Sequence, residues 1–365
     1  MPAQTHLKTA LSERFGLDVP IFGFSHSVAV TAAISNAGGM GVFGATRDTP
    51  EEIRARLAEI RTLVGRRPFG VDLVLPRGMP ESNDRARIET ELPEQHRRFV
   101  ADLYAKYHVP PATRPGMRSR FVRSNEIAEQ QIEAVLESDV DLFACGIGAP
   151  PEVVSAAKAR GKTTVALIGA PRHAKEALAV GIDLLVAQGY DAGAHTGAIG
   201  TFSLVPQIVD LAGAVPVLAA GGVATGRHVA AALAMGAQGV WIGTAWLLTR
   251  EHAVKPSLLK KLLAAGSEDT VISRADSGKT LRQIRSAWSE EWAAEGAPRP
   301  LRMPYQDILV GDLLGAIDEH DVVPLVHAPA GQSIGYFREV RSVGETMDRL
   351  VAEAAATLAR LARDG

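Results

Sequence analysis

The sequence predicts an α/β fold: a (β/α)8 TIM barrel with an insertion after its third strand and a C-terminal helical extension. Three observations carry this. Short apolar runs alternate with helical segments from about residue 19 to residue 242. Most runs are β-branched or continuously apolar, as strands buried on both faces are. About eight such runs occur before the pattern changes, the number an (β/α)8 barrel needs. A doubly wound open sheet is the alternative that repeat spacing alone leaves open.

Val19 to Phe24 is the first strand, and Val28 to Asn36 the helix after it, stopped by Gly38-Gly39. Met40 to Phe43 follows as a strand. Asp48-Thr49-Pro50-Glu51-Glu52 opens the next helix with a capping side chain, a proline and acids in the first turn. Ile53, Leu57, Ile60 and Leu63 continue it at helical spacing. Phe69 to Leu75 is the third strand. After an interruption come helix Glu126 to Leu136 and strand Val140 to Ala144. Helix Pro151 to Arg160, strand Thr163 to Leu167, helix Pro171 to Val180 and strand Ile182 to Ala187 continue the alternation. Helix Phe202 to Leu211, strand Val215 to Ala219, helix Arg227 to Met235 and strand Gly239 to Ile242 complete it.

The interruption, residues 77–124, is polar, broken by Pro110-Pro111 and Pro115-Gly116, and fits no β/α unit. Its second half carries Arg114, Arg118 and Arg120 with no acid between Lys106 and Arg123. Such a run is ordinarily a solvated face; the sharper expectation is a lid over an anionic substrate, such as a CoA thioester or the phosphate of NADPH. Beyond residue 249 the pattern turns to helices and loops. The expected division is a barrel over residues 1–250 and a helical extension over 251–365 that covers it.

The bulk numbers set the class. The 365 residues are 46% hydrophobic and 22% charged, with a formal net charge of −2. That balance favours neither nucleic acid nor an anionic membrane as partner. A small-molecule substrate is expected, and a homodimer is left open. Cys145 is the single cysteine, so neither an intrachain disulfide nor a cysteine metal site is expected. It is read as a small buried core residue. No apolar leader and no run long enough to span a bilayer appears, so a cytoplasmic compartment is the expectation.

The chemistry concentrates in three places. After the strand ending at Ala187 comes Gln188-Gly189-Tyr190-Asp191-Ala192-Gly193-Ala194-His195-Thr196-Gly197, a glycine-rich loop with one titratable ring. Its glycines are read as room for a flat or bulky ligand at the backbone. Pro216 to Ala220 leads into Gly221-Gly222-Val223, and Gly239-Val240-Trp241-Ile242 into Gly243-Thr244. Glycine at the ends of the last two barrel strands frees amides for a phosphate, and a following helix start adds favourable partial charge. No Walker sequence or Gly-x-Gly-x-x-Gly fingerprint stands at a suitable strand end. A phosphorylated cofactor or substrate is therefore expected, with FMN the economical choice. Gln188 offers a donor and an acceptor to the ring.

These stretches, with Ser35-Asn36-Ala37-Gly38-Gly39-Met40-Gly41, Pro68-Phe69-Gly70-Val71-Asp72-Leu73 and Gly331-Gln332, resemble the nitronate monooxygenase (2-nitropropane dioxygenase) family. That family also resembles the FMN-dependent enoyl-ACP reductases. The similarity covers most of residues 15–345 outside the 77–124 segment. It implies FMN held by Gly23, Asp72, Gln188, Gly193, Gly221, Gly222, Trp241, Ile242, Gly243 and Thr244, with His195 as catalytic base or acid. Asp72 stands where the family usually carries an asparagine, and Asp191 and Ala194 where it usually has Glu and Gly. The first strand ends Phe22-Gly23-Phe24-Ser25 rather than Ala-Pro-Met. Phe24 and His26 are expected near substrate, and no metal site is expected.

The expected activity is FMN-dependent oxidation of a nitronate or related carbon acid, with His195 as base or anion stabiliser. The alternative uses NAD(P)H as reductant for flavin and then an enone, quinone or acyl thioester. A flavin-free isomerase or aldolase on the same phosphate site, and a binding protein without activity, are the rivals from other classes.

Overall fold

The computed structural model describes residues 7–364. Eight parallel strands close into a barrel: β1 (Ile21–Ser25), β2 (Met40–Gly44), β3 (Phe69–Val74), β4 (Leu142–Gly146), β5 (Thr163–Ile168), β6 (Leu184–Gln188), β8 (Val217–Ala220) and β9 (Gly239–Ile242). β1 pairs with β9, with Phe22 opposite Trp241, so no edge is left open. The sheet is closed, which decides against the open doubly wound alternative.

Alternation along each strand divides two layers of packing. Phe22, Met40, Val42, Leu142, Val165, Leu184, Val186, Leu218 and Trp241 fill the barrel interior. Residues one step out of phase, among them Phe43, Phe69, Val71 and Leu73, meet the surrounding helices. The helix over Pro50–Val64 shows the local logic. Thr49 accepts from the Glu52 amide at 3.3 Å while Glu52 accepts from the Thr49 amide at 2.8 Å, a reciprocal cap on the expected segment. Ile53, Leu57, Ile60 and Val64 face inward, whereas Leu63, expected on that stripe, points to solvent.

Residues 77–124 lie between β3 and β4 and are more regular than their composition predicts. They contain helices Arg85–Glu91 and Glu94–Lys106. Ile88, Val100 and Leu103 are their buried residues, too few to mark a clear period. Val100 and Leu103 pack with Trp288, Trp292, Val310 and Leu313 of the C-terminal part in a second core beside the barrel.

The C-terminal part is not only helical. Strands β10 (Thr270–Ser273) and β11 (Leu281–Ile284) form an antiparallel sheet, and a two-residue strand β7 (Ala194–His195) joins its edge. Leu281 lies opposite His195 and Arg282 opposite Ala194. The loop after β6 is thus stitched to a chain segment more than 80 residues downstream. Among the described residues no helix is long and apolar enough to cross a membrane.

Candidate active site

A cavity of about 400 Å³ opens at the C-terminal ends of the barrel strands. Asp72 and Val74 of β3, Gly146 of β4, Gln188 of β6, Ala220 of β8 and Trp241 and Ile242 of β9 contribute to its wall. Phe24, His26, Gly193, His195, Gly221, Gly222, Gly243 and Thr244 line it too. The expected residues therefore converge on one space, with Gly23 outside it. A Cβ at Gly23 would lie 2.5 Å from Ile34 and 2.7 Å from the Trp246 indole nitrogen. Its glycine makes room for the helical layer.

The glycines of the His195 loop have a different reason from the expected one. A Cβ at Gly189 would stand 2.4 Å from the Thr201 amide, and one at Gly193 2.7 Å from the Gly331 amide. A Cβ at Gly197 would stand 2.5 Å from the Gly169 carbonyl. Protein backbone, rather than a ligand, fills the space these residues leave. Asp191 adds to the clamp: its carboxylate accepts from the Thr201 amide at 3.0 Å and its carbonyl accepts from Gln332 at 2.9 Å. Ala194 sits at φ 61°, where a side chain costs roughly 1 kcal/mol and glycine costs none.

This clamp fixes the imidazole. His195 Nδ1 lies 3.1 Å from the Thr280 carbonyl oxygen, which can only accept. Nδ1 therefore carries the proton, and Nε2 carries a lone pair. Burial depresses the ring's pKa to about 4, with Arg118, Arg123 and Arg47 adding to the depression. The ring is neutral at physiological pH. His26 is held in the same way, Nδ1 to the Gly44 carbonyl at 2.7 Å, and burial lowers its pKa also. Gln188 spends its amide nitrogen on the His195 carbonyl at 2.9 Å. Its carbonyl oxygen is the group left for a ligand.

Asp72 is 4% exposed, and its Oδ2 has no hydrogen-bond partner. Burial raises its pKa to about 7, against a smaller opposing pull from Arg123. Cys145, on the adjacent strand, is buried as expected, and burial pushes its thiol well above the usual range. It is an unreactive neighbour. Trp241 stacks on Phe24 at 6.2 Å between centroids, and both wall the cavity. Trp246 donates to the Ile242 carbonyl at 2.7 Å.

At the ends of β8 and β9, Gly221 and Gly222 have φ of 96° and 75°. The amides of Gly222 and Val223 meet no acceptor among the described residues. A Cβ at Gly243 would touch nothing within 4 Å. The helix over Gly226–Ala234 begins three residues beyond Val223. Thr244 Oγ1 accepts from the Gly331 amide at 2.9 Å, which draws the Gly331-Gln332 pair to the site.

The arginines of the 77–124 segment do not form a free anionic-substrate lid. Arg118 pairs with Asp276 at 3.3 Å and Asp307 at 3.2 Å, and Arg120 donates to Glu52 at 2.9 Å. Their acids come from distant parts of the chain. Several cavity-lining residues carried no sequence signal, among them His173, His252, Lys279, Thr280 and Ser333. Thr280 was accessible only through its pairing with the His195 strand.

The comparisons agree with this geometry. The nitronate monooxygenase family model matches residues 6–353. The Mycobacterium tuberculosis protein Rv1533, which carries a monooxygenase name, is 40% identical over 97% of this chain and 98% of its own. A Rhodococcus jostii protein named as a carboxyl-CoA dehydrogenase is 30% identical over 77% of this chain and 66% of its own. The solved structure of nitroalkane oxidase from Streptomyces ansochromogenes superimposes with a TM-score of 0.82 at 27% identity, covering 97% of this chain and all of that one. A barrel with this mouth, matched along almost its whole length, identifies the chain as an oxidoreductase belonging to the nitronate monooxygenase family.

Proposed function

We propose that the chain is an FMN-dependent oxidoreductase that oxidises a nitronate or related carbon acid, with His195 handling the proton. The residues present suit FMN. The unpartnered amides of Gly222 and Val223 and the open face of Gly243 suit a phosphate. The free carbonyl of Gln188 and the unpartnered Oδ2 of Asp72 suit the polar edge of a flat ring. Phe24 and Trp241 supply apolar wall. FMN, when bound, supplies the redox step.

The observation that carries the reading is the Nδ1–H of His195 on the Thr280 carbonyl. It leaves Nε2 as a neutral base at the cavity. When a nitroalkane is presented, Nε2 takes the α-proton and the C–H electron pair moves onto the nitro oxygens. When the nitronate is presented directly, no C–H bond is left to break, and the lone pair of Nε2 has neither a proton to take nor one to donate to the anion. Base action is favoured over the imidazolium role because burial and three arginines oppose charging the ring.

The test is the visible spectrum of the purified protein followed by anaerobic stopped-flow. Bleaching of a yellow protein by a nitronate alone supports the reading. A colourless protein that stays inactive with added FMN overturns it. Bleaching by NAD(P)H, followed by turnover of an acyl thioester, favours the second reading, to which the CoA-named relative lends support.

A further inference from the structure

Around the cavity, positive charge is abundant but mostly committed. Arg47 pairs with Asp307 at 2.9 Å, and Arg118 spans Asp307 and Asp276. Arg123 is buried with its Nη1 3.2 Å from the Met303 sulfur. Asp276 is further occupied by the Trp288 indole at 2.9 Å and by His327 at 3.2 Å. The charged groups that act on His195 are these arginines, and each opposes a further positive charge on the ring. None of the three lines the cavity.

Lys279 does line it. No carboxylate lies within ion-pair distance of its ammonium, which has no hydrogen-bond partner among the described residues; the one bond of Lys279 is from its backbone amide to Ser277. Its backbone is held on both sides. A Cβ at Gly278 would stand 2.1 Å from the Leu301 carbonyl, so that residue is pressed against the 301–303 segment. Thr280 receives the His195 Nδ1 proton and donates its hydroxyl to the Thr196 carbonyl at 3.3 Å. The remaining carboxyls nearby are accounted for. Asp191 caps Thr201, and Asp72 sits in the barrel end without an ion pair to Lys279.

From this we infer that Lys279 is a specificity-determining residue whose ammonium binds the negative pole of an anionic substrate. The inference rests on the reading of His195 and FMN given above and adds to it the side chain that meets the substrate's charge. An ammonium at the cavity wall with no carboxylate beside it keeps its attraction for an incoming anion undivided. Its chain neighbour holds the base, so the anion is delivered beside Nε2. Lys279 is a binding residue rather than part of the phosphate cradle, because its loop is built onto His195 and not onto β8 or β9.

The test uses FMN-loaded protein at about pH 7.5, titrated with nitrite as the anionic probe and with 2-methyl-2-nitropropane, which has no α-proton to lose, as the neutral one. Binding is read by flavin absorbance and, independently, by calorimetry. In Lys279→Met the nitrite Kd is expected to rise about tenfold, while Lys279→Arg stays within about twofold and 2-methyl-2-nitropropane binding is unchanged. Lys279→Gln serves as a second neutral variant, with thermal melting confirming the fold of each. Equal nitrite affinity in the wild type and both neutral variants overturns the inference. So does a loss of FMN affinity with nitrite binding unchanged, which would assign Lys279 to the cofactor. A wild-type protein that binds no FMN overturns the functional reading itself, a result distinguishable from either.

Discussion

The imidazole of His195 and the carbonyl of Thr280 stand 3.1 Å apart across 85 positions of sequence, and this contact selects the ring nitrogen free to act. His195→Asn keeps a polar side chain but loses the base. It should lower kcat/KM for a nitroalkane by roughly 10²–10⁴-fold while leaving FMN content unchanged. For a preformed nitronate the loss should be smaller, because no C–H bond is broken. Steady-state kinetics with both forms, alongside a flavin absorbance count, checks this.

The pH dependence follows from the same ring. With a folded pKa near 4, His195 stays a base from alkaline pH down to mildly acid solution, and its activity contribution falls only as pH approaches about 4. Stability responds earlier. The unfolded ring, at roughly 6.5, binds a proton that the folded ring refuses. Unfolded chains therefore gain protons as pH drops from about 6.5 toward 4, and the fold weakens through that window. His26, lowered in the same direction, adds to the effect. Denaturant melts at stepped pH should show it, and His195→Asn should reduce the slope.

Asp72 has the opposite sign. Its folded pKa of about 7 lies above the unfolded value of roughly 3.9, so the buried carboxyl penalises folding as pH rises through that interval. Asp72→Asn removes the penalty. The variant should melt higher than the wild type above about pH 7, by a smaller margin at about pH 5, and nearly equally only below about pH 4, where the acid is protonated in the folded and unfolded chain alike. Differential scanning calorimetry of the two proteins at both pH values measures the difference.

Gly243 and Arg120 separate binding from folding. An alanine at Gly243 meets nothing within 4 Å and has no positive φ to contend with, so Gly243→Ala should melt like the wild type. If the open face is the phosphate seat, its FMN Kd should rise about tenfold, measured by fluorescence titration.

Arg120→Met should do the reverse. It removes the partner of Glu52 and a donor to the Arg47 carbonyl, so the melting temperature should fall. KM for an anionic substrate should stay unchanged. A raised KM with unaltered stability would restore the lid reading of this segment.

The barrel was legible because strands buried on both faces leave continuous apolar runs, such as Leu184 to Ala187, that helices over them do not blur. The lining of the cavity was legible where glycine ends a strand, as at Gly222 and Gly243. It was misread where glycine serves packing, because a Gly189 pressed on Thr201 and one pressed on a ligand look alike in sequence. Helices at Arg85–Glu91 and Glu94–Lys106 bury too few apolar residues to show their period. Strands β10 and β11 are four residues each, and their third partner is two residues long. The ion pairs of Arg118 reach Asp276 and Asp307, 158 and 189 positions away, so no local pattern announces them.

The antiparallel ribbon that fastens Ala194 and His195 comes from outside the barrel strands. The proposed cofactor seat and the imidazole thus have separate custodians: one is inscribed in β8 and β9, the other leans on residues 280–282. Substitutions in that short downstream stretch would re-aim the ring and leave the strand ends of β8 and β9 undisturbed.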